Sequence, residues 1–312
     1  MKRKKITIGT RGSKLALWQA NYIADCIKVQ YPGVEVNLLH IVTTGDKIID
    51  VPLAKIGGKG LFTKELESAM LSREIDLAVH SLKDMPTELP EGLLLAAITE
   101  RVDAGDAFIS PKYGTVDNLP TGAKVGTSSL RRKAQLLKYR PDLTIGDLRG
   151  NLDTRLKKLE NSEFDAIILA VAGLKRLGWQ EQITQVLPQD ICLPAVGQGA
   201  LAIEARSDDR EVLEMLAFLN HQETRWAVEA ERAYLAEVEG GCQIPIGVFG
   251  TVEEKVLTLE AAILSVDGKR QIRQTISGAR EDGKKLGWHL ARQMLNEGGR
   301  EILKELEIYD KE

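Results

Sequence analysis

Residues 5–30 read KITIGTRGSKLALWQANYIADCIKVQ, and the fold class follows from how this stretch is parsed. Lys5–Gly9 alternates as a strand does, while Leu15–Gln30 sets Leu15, Trp18, Tyr22, Ile23 and Ile27 at helical spacing. Between them Gly9-Thr-Arg-Gly-Ser13 forms a turn in which Ser13 can cap the helix. The same succession continues outward. Val34–Val42 reads as a strand, Phe62–Arg73 as a helix, Asp76–Leu82 as a buried run and Leu93–Ile98 as a strand. It restarts with strand Lys124–Gly126, helix Leu130–Tyr139, strand Leu143–Asp147, helix Thr154–Asn161 and strand Phe164–Ala170. Alternation of this kind predicts parallel sheets covered by helices, hence α/β. The turn-rich segment Ser110–Thr121 separates the two runs, so two lobes are expected.

Beyond Pro194 the pattern changes. Ala200–Ala205 reads as one more strand, followed by helix Thr224–Val238. Strands Ile244–Val252, Val256–Val266 and Arg270–Ser277 come next, then a helix from Lys284 that Gly298-Gly299 interrupts. Consecutive strands with short turns predict a small antiparallel α+β domain. At about 150 residues per domain the 312 residues suggest two domains, but the pattern gives three. Their expected bounds are 1–100 with about 198–218, then 105–195, then 222–312.

A composition of 43% hydrophobic and 28% charged residues excludes a disordered chain, a collagen-like repeat and a disulfide-stapled miniprotein. The net charge of −3 conceals an uneven distribution. Residues 121–199 carry 12 Lys and Arg against 8 Asp and Glu, whereas residues 200–312 carry 15 against 22. This basic middle is the one hint of nucleic acid, and 5% aromatics offer little to stack bases on, so no nucleic-acid partner is expected. The charged start Met1-Lys-Arg-Lys-Lys5 leads to Arg11 without an apolar stretch, and no apolar run reaches the ~18–20 residues that span a bilayer. A cytoplasmic protein with no membrane partner is expected.

Three widely spaced cysteines suit neither a disulfide framework nor zinc, and His40, His80, His221 and His289 show no ligand spacing. No metal is expected. Cys26 falls on the helical stripe and Cys192 in apolar Ile191-Cys-Leu-Pro194, both as core. Cys242, in Glu239-Gly-Gly-Cys-Gln-Ile-Pro245, is a loop thiol, either plain or reactive.

Two turns look built for anions. Arg11 and Ser13 sit in the first, and Val125-Gly-Thr-Ser-Ser-Leu-Arg-Arg-Lys133 repeats the device with Thr127, Ser128 and Ser129 at a helix start. Arg131, Arg132 and Lys133 occupy that helix's first turn, against a macrodipole worth roughly 0.3–1 kcal/mol per charge. They need either an acidic neighbour or an anionic ligand, and the hydroxyls favour the ligand. Arg149, Asn151 and Arg155 follow the next strand and Arg176 the one after. Ligands of α/β sheets lie outside the carboxyl ends of strands, and arginine suits bidentate carboxylate or phosphate recognition. Asp76-Leu-Ala-Val-His-Ser-Leu-Lys-Asp-Met-Pro86 ends a buried strand in a polar cluster. Period-two alternation puts Ser81 and Lys83 on one face, with Asp84 at the end. Asp84 is either a general acid/base or an ordinary turn residue paired with Lys83.

Five segments, in order, resemble the porphobilinogen deaminase (hydroxymethylbilane synthase) family: Thr7–Gln19, His80–Asp84, Gly126–Arg132, Arg149–Asn151 and Glu239–Gln243. The resemblance implies a monomeric transferase of tetrapyrrole biosynthesis that joins four porphobilinogen molecules head to tail. Ammonia leaves at each step and water releases the linear product. It implies a dipyrromethane cofactor held through a thioether to Cys242, and Asp84 as the catalytic carboxylate that assists ammonia loss. It implies that Arg11, Ser13, Lys83, Thr127, Ser128, Ser129, Arg131, Arg132, Arg149, Arg155 and Arg176 bind acetate and propionate groups. The implied fold is two periplasmic-binding-protein-like lobes flanking a cleft, with a third domain presenting the cysteine loop. Asp46–Gly60, with Lys55 and Lys59, is expected to act as a lid. A two-lobed binding protein for a polycarboxylate is the competing expectation, although it has no use for the Gly-Gly-Cys loop.

Overall fold

A computed structural model of the chain describes residues 3–47, 60–238 and 244–309. Cys242, Lys55 and Lys59 lie outside the described residues. The chain divides into two compact units, which it visits alternately: it passes to the second after Arg101, returns at Ala200 and leaves again after Arg225.

The first unit is built on a five-stranded sheet. β1 (Lys5–Thr10) lies between β2 (Glu35–His40) and β3 (Leu77–Ser81), parallel to both. β10 (Leu201–Arg206) then inserts antiparallel between β3 and β4 (Leu93–Ile98). Helix α1 (Lys14–Gln30) buries Ile23, Ala24 and Ile27 against Ile6, Ile8 and Ile203. Its buried face is rotated from the expected stripe: Tyr22 is 45% exposed and stacks on Trp18, because Gln19 and Ala20 take the sheet side. Cys26 is half-buried rather than in the core. α2 (Thr44–Lys47) is a single turn, and α3 (Lys64–Leu71) covers the other sheet face with Leu66 and Met70.

The second unit repeats the arrangement. β6 (Lys124–Gly126) lies between β7 (Thr144–Gly146) and β8 (Ala166–Ala170), parallel to both. β5 (Asp106–Ile109) runs antiparallel between β8 and β9 (Gln185–Val186). The sheet orders β2-β1-β3-β10-β4 and β7-β6-β8-β5-β9 are therefore the same pattern. Both sheets are mixed, not parallel as expected, since in each one strand arrives from outside the local β-helix-β run and enters against the rest. Helices α4 (Leu130–Tyr139), α5 (Leu152–Glu160) and α6 (Val171–Arg176) follow β6, β7 and β8. α7 (Arg210–Leu216) belongs to the first unit.

The third sheet is the expected antiparallel one: β11 (Ile246–Glu253), β12 (Val256–Leu264) and β13 (Gln271–Ala279). It lies within the second unit, where α8 (Gln222–Glu237, from Trp226 onward) and α9 (Gly283–Met294) bury Tyr234, Leu290 and Met294 against Val248, Leu259 and Ile263. Gly287 of α9 lets the two helices touch, since a Cβ there would stand 2.1 Å from the Ala230 carbonyl oxygen. The chain leaves helical geometry at Glu297 and at Gly298, whose φ is +110°, before α10 (Arg300–Tyr309).

Candidate functional site

In the first unit the residues singled out follow the carboxyl ends of the adjacent parallel strands β1 and β3. Ser13 caps α1, its hydroxyl accepting from the Ala16 N–H at 3.3 Å. Arg11 is already engaged. Its guanidinium donates to the Asp46 carboxylate, with Nε at 3.1 and 3.2 Å, and lies 4.2 Å from the Phe62 ring centroid. Burial would raise the Asp46 pKa, but Arg11 and the Thr43 hydroxyl (2.8 Å) outweigh it and hold the carboxyl below its usual range. β3 ends at Ser81, whose hydroxyl accepts from Gln19 at 2.9 Å. Lys83 and Asp84 belong to the 3-10 turn Leu82–Asp84, so Lys83 does not continue the alternation of Ser81 as expected. The turn forms because Leu82 remains buried (1% exposed), which rotates Lys83 to a half-buried position and Asp84 to an exposed one.

In the second unit Thr127–Ser129 follow β6, Arg149 follows β7 and Arg176 ends the short helix after β8. All three strands are parallel, so these residues share one end of the sheet. Ser129 caps α4, accepting from the Arg132 N–H at 3.4 Å, and the Thr127 hydroxyl accepts from the Ser129 N–H at 3.2 Å. Ser128 is tied to β7's exit, donating to the Leu148 carbonyl (3.1 Å) and accepting from its N–H (3.0 Å). Arg155 donates to the Gly150 carbonyl at 2.8 Å. Gly150 itself sits at φ +108°, a conformation that favours glycine. Buried Arg176 donates to the Gly199 carbonyl at 2.7 Å.

The first turn of α4 has an acidic neighbour. Asp106, fully buried, begins the antiparallel strand β5 and so stands at the carboxyl end of its parallel neighbours, opposite Ala170. Arg131 donates to it at 2.6 and 3.2 Å, and Arg132 at 2.9 and 2.7 Å. Gln198 donates at 3.0 Å and the Cys192 thiol at 3.2 Å. Arg131 also donates to the Leu193 carbonyl at 2.8 Å, and Arg132 to that of Ile168 at 3.0 Å. Desolvation pulls the Asp106 pKa upward, yet the two guanidiniums win and hold it far below the carboxylate range. Burial, then the Asp106 charge, push the Cys192 thiol up to about 12. Cys192 is therefore buried as expected, but as a polar donor. For Arg131 and Arg132 the acidic neighbour is present: Asp106 supplies one carboxylate to the two guanidiniums.

Sequence reasoning missed Asp106 and Asp46. A signal existed for the first, an acid immediately before the apolar Ala107-Phe-Ile109, although the strand itself was not expected.

The "Porphobilinogen deaminase, dipyromethane cofactor binding domain" profile matches residues 6–214, and the "Porphobilinogen deaminase, C-terminal domain" profile matches residues 226–296. The chain belongs to the porphobilinogen deaminase family. Relatives include the porphobilinogen deaminase of Geobacter sulfurreducens, 56% identical over the whole chain and 97% of the relative. That of Trichlorobacter lovleyi is 55% identical over the whole chain and 99% of the relative. Among solved structures, a methionine binding protein aligns at 14% identity and TM-score 0.46, covering 76% of this chain and 94% of that one. A periplasmic substrate-binding protein of an ABC transporter from Coxiella burnetii aligns at 13% identity and TM-score 0.44, covering 70% and 94%.

The donor set suits the cofactor of this family, a dipyrrole bearing acetate and propionate groups. At one end of the second sheet the two buried guanidiniums of Arg131 and Arg132 share one buried carboxylate, that of Asp106. The surplus is positive, and a carboxylate-rich group would neutralise it. No described helix is long and apolar enough to cross a membrane.

Proposed function

We propose that this porphobilinogen deaminase joins four porphobilinogen molecules head to tail with loss of ammonia, then releases the linear hydroxymethylbilane to water, using Asp84 as its proton-handling carboxylate. The observation that carries this role is the placement of Asp84. It is exposed at the carboxyl end of β3, one residue from Lys83 and at the same sheet end as Arg11. An exposed carboxylate there can accept and return a proton at the departing ammonia and balance the positive charge that its loss leaves behind. When bound, the dipyrromethane supplies the covalently held primer for the chain, and we assign its attachment to Cys242.

Each porphobilinogen brings two carboxylates, so the product under construction accumulates negative charge. Arg11 and Lys83 of the first unit would bind such groups, with Ser13 as a further donor. In the second unit Arg131, Arg132, Arg149, Arg155 and Arg176 would do so, with Thr127, Ser128 and Ser129. Arg11 is held by Asp46 and would exchange that carboxylate for one from the ligand. We further read the chain as a cytoplasmic monomer of three domains, 1–100 with about 198–218, 105–195, and 222–312.

Replacing Asp84 by Asn keeps its shape and removes its proton chemistry. Ammonia release from porphobilinogen by Asp84→Asn is expected to fall by about 10²–10⁴-fold. Release near the wild-type rate would overturn the assignment.

A further inference from the structure

We infer that Asp106 is the positioning residue of the Arg131–Arg132 pair, fixing both guanidiniums and cancelling one of their two charges so that the pair presents a single net positive charge to a ligand carboxylate. The inference rests on the proposed carboxylate-binding role of the two arginines. A free guanidinium has five N–H donors. Asp106, the Leu193 carbonyl and the Cys192 sulfur (3.4 Å) share both Nη1 hydrogens and one Nη2 hydrogen of Arg131, and Asp106 with the Ile168 carbonyl takes three of Arg132. Two donors remain on each, enough for a bidentate carboxylate.

The geometry of Asp106 is itself fixed from three directions. Its strand pairs with β8 at Ala170, Gln198 anchors it through a side chain that also holds the Ala104 carbonyl at 2.6 Å, and the Cys192 thiol donates from a third side. A pair held this rigidly loses little side-chain entropy when it binds an anion. Without the acid, two like charges buried side by side would repel and leave their places.

Two variants test this, with Arg132→Gln as the control for the reading beneath it. Arg132→Gln should raise the KM for porphobilinogen at least tenfold or cut the fraction of chains carrying the dipyrromethane mass at least tenfold. If it changes neither, the carboxylate-binding role of the pair fails and the inference falls with it. Given that control, Asp106→Glu keeps the charge but moves the carboxylate by one methylene. Its KM or cofactor load should shift at least tenfold while kcat stays within about threefold.

The second variant removes Asp106 without creating a surplus charge. Asp106→Asn combined with Arg131→Gln keeps the net charge of the cluster and should bind at least fivefold more weakly than Arg131→Gln alone. Variants with native circular dichroism, and KM and load within twofold of their parents, would show a purely structural acid and overturn the inference, even with a lowered melting temperature. Failure of both to fold would overturn it too, since Asp106 would then serve the fold and not the placement of the pair.

Discussion

Two aspartates show how burial divides labour between residues of one type. Asp106 is sealed at 0% exposure among five donated hydrogen bonds from two arginines and a glutamine, whereas Asp84 stands exposed at a strand end. Removing one partner of a buried ion pair strands the other charge, at a cost of about 3–5 kcal/mol. Asp106→Ala is therefore expected to lower the unfolding free energy in urea by roughly that amount. Asp84→Ala should change it by no more than about 0.5 kcal/mol. Equal effects at the two positions would contradict the assignment of one acid to the cation pair and the other to chemistry. The local sequence showed that Arg131 and Arg132 need compensation, because cations oppose the start of a helix. It did not show the source, because Asp106 lies 25 residues from Arg131 and reaches it only through the strand order.

At the scale of elements, periodicity carried most of the fold. Leu93–Ile98, Lys124–Gly126 and helix Leu130–Tyr139 lie where the sequence places them: the first is a short unbroken apolar run, and the helix sets Leu130, Ala134 and Leu137 at helical spacing. β9 has two residues, and β5 is apolar after its first acid, so neither shows a period to detect. The direction of β5 and β10 is likewise invisible locally, since hydrogen bonding to β8 and β3 decides it. The third sheet depends on a close helix contact. In Gly287→Ala the new methyl would meet the Ala230 carbonyl oxygen at 2.1 Å, so α9 would have to move off α8. Overpacking of this kind costs about 1–3 kcal/mol, and the melting temperature should fall accordingly. An unchanged melting temperature would mean that α8 and α9 are not packed this tightly.

For the whole molecule, charge distribution links sequence to activity. A net charge of −3 describes an ordinary chain, yet Arg131, Arg132, Arg149 and Arg176 all follow the carboxyl ends of strands of one sheet, and the acids accumulate in the last third. Sheet order produces that convergence: parallel β6, β7 and β8 end together, and each is followed by an arginine. The resemblance visible in five segments extends to profile matches over residues 6–214 and 226–296, which is why family membership was legible before any coordinates. The covalent primer on Cys242 is best tested by the intact mass of purified protein. Wild type should exceed the mass of its sequence by one dipyrromethane, and Cys242→Ala should lose that excess together with activity. Active wild-type protein at the bare sequence mass, or a Cys242→Ala protein that keeps the excess, would contradict it.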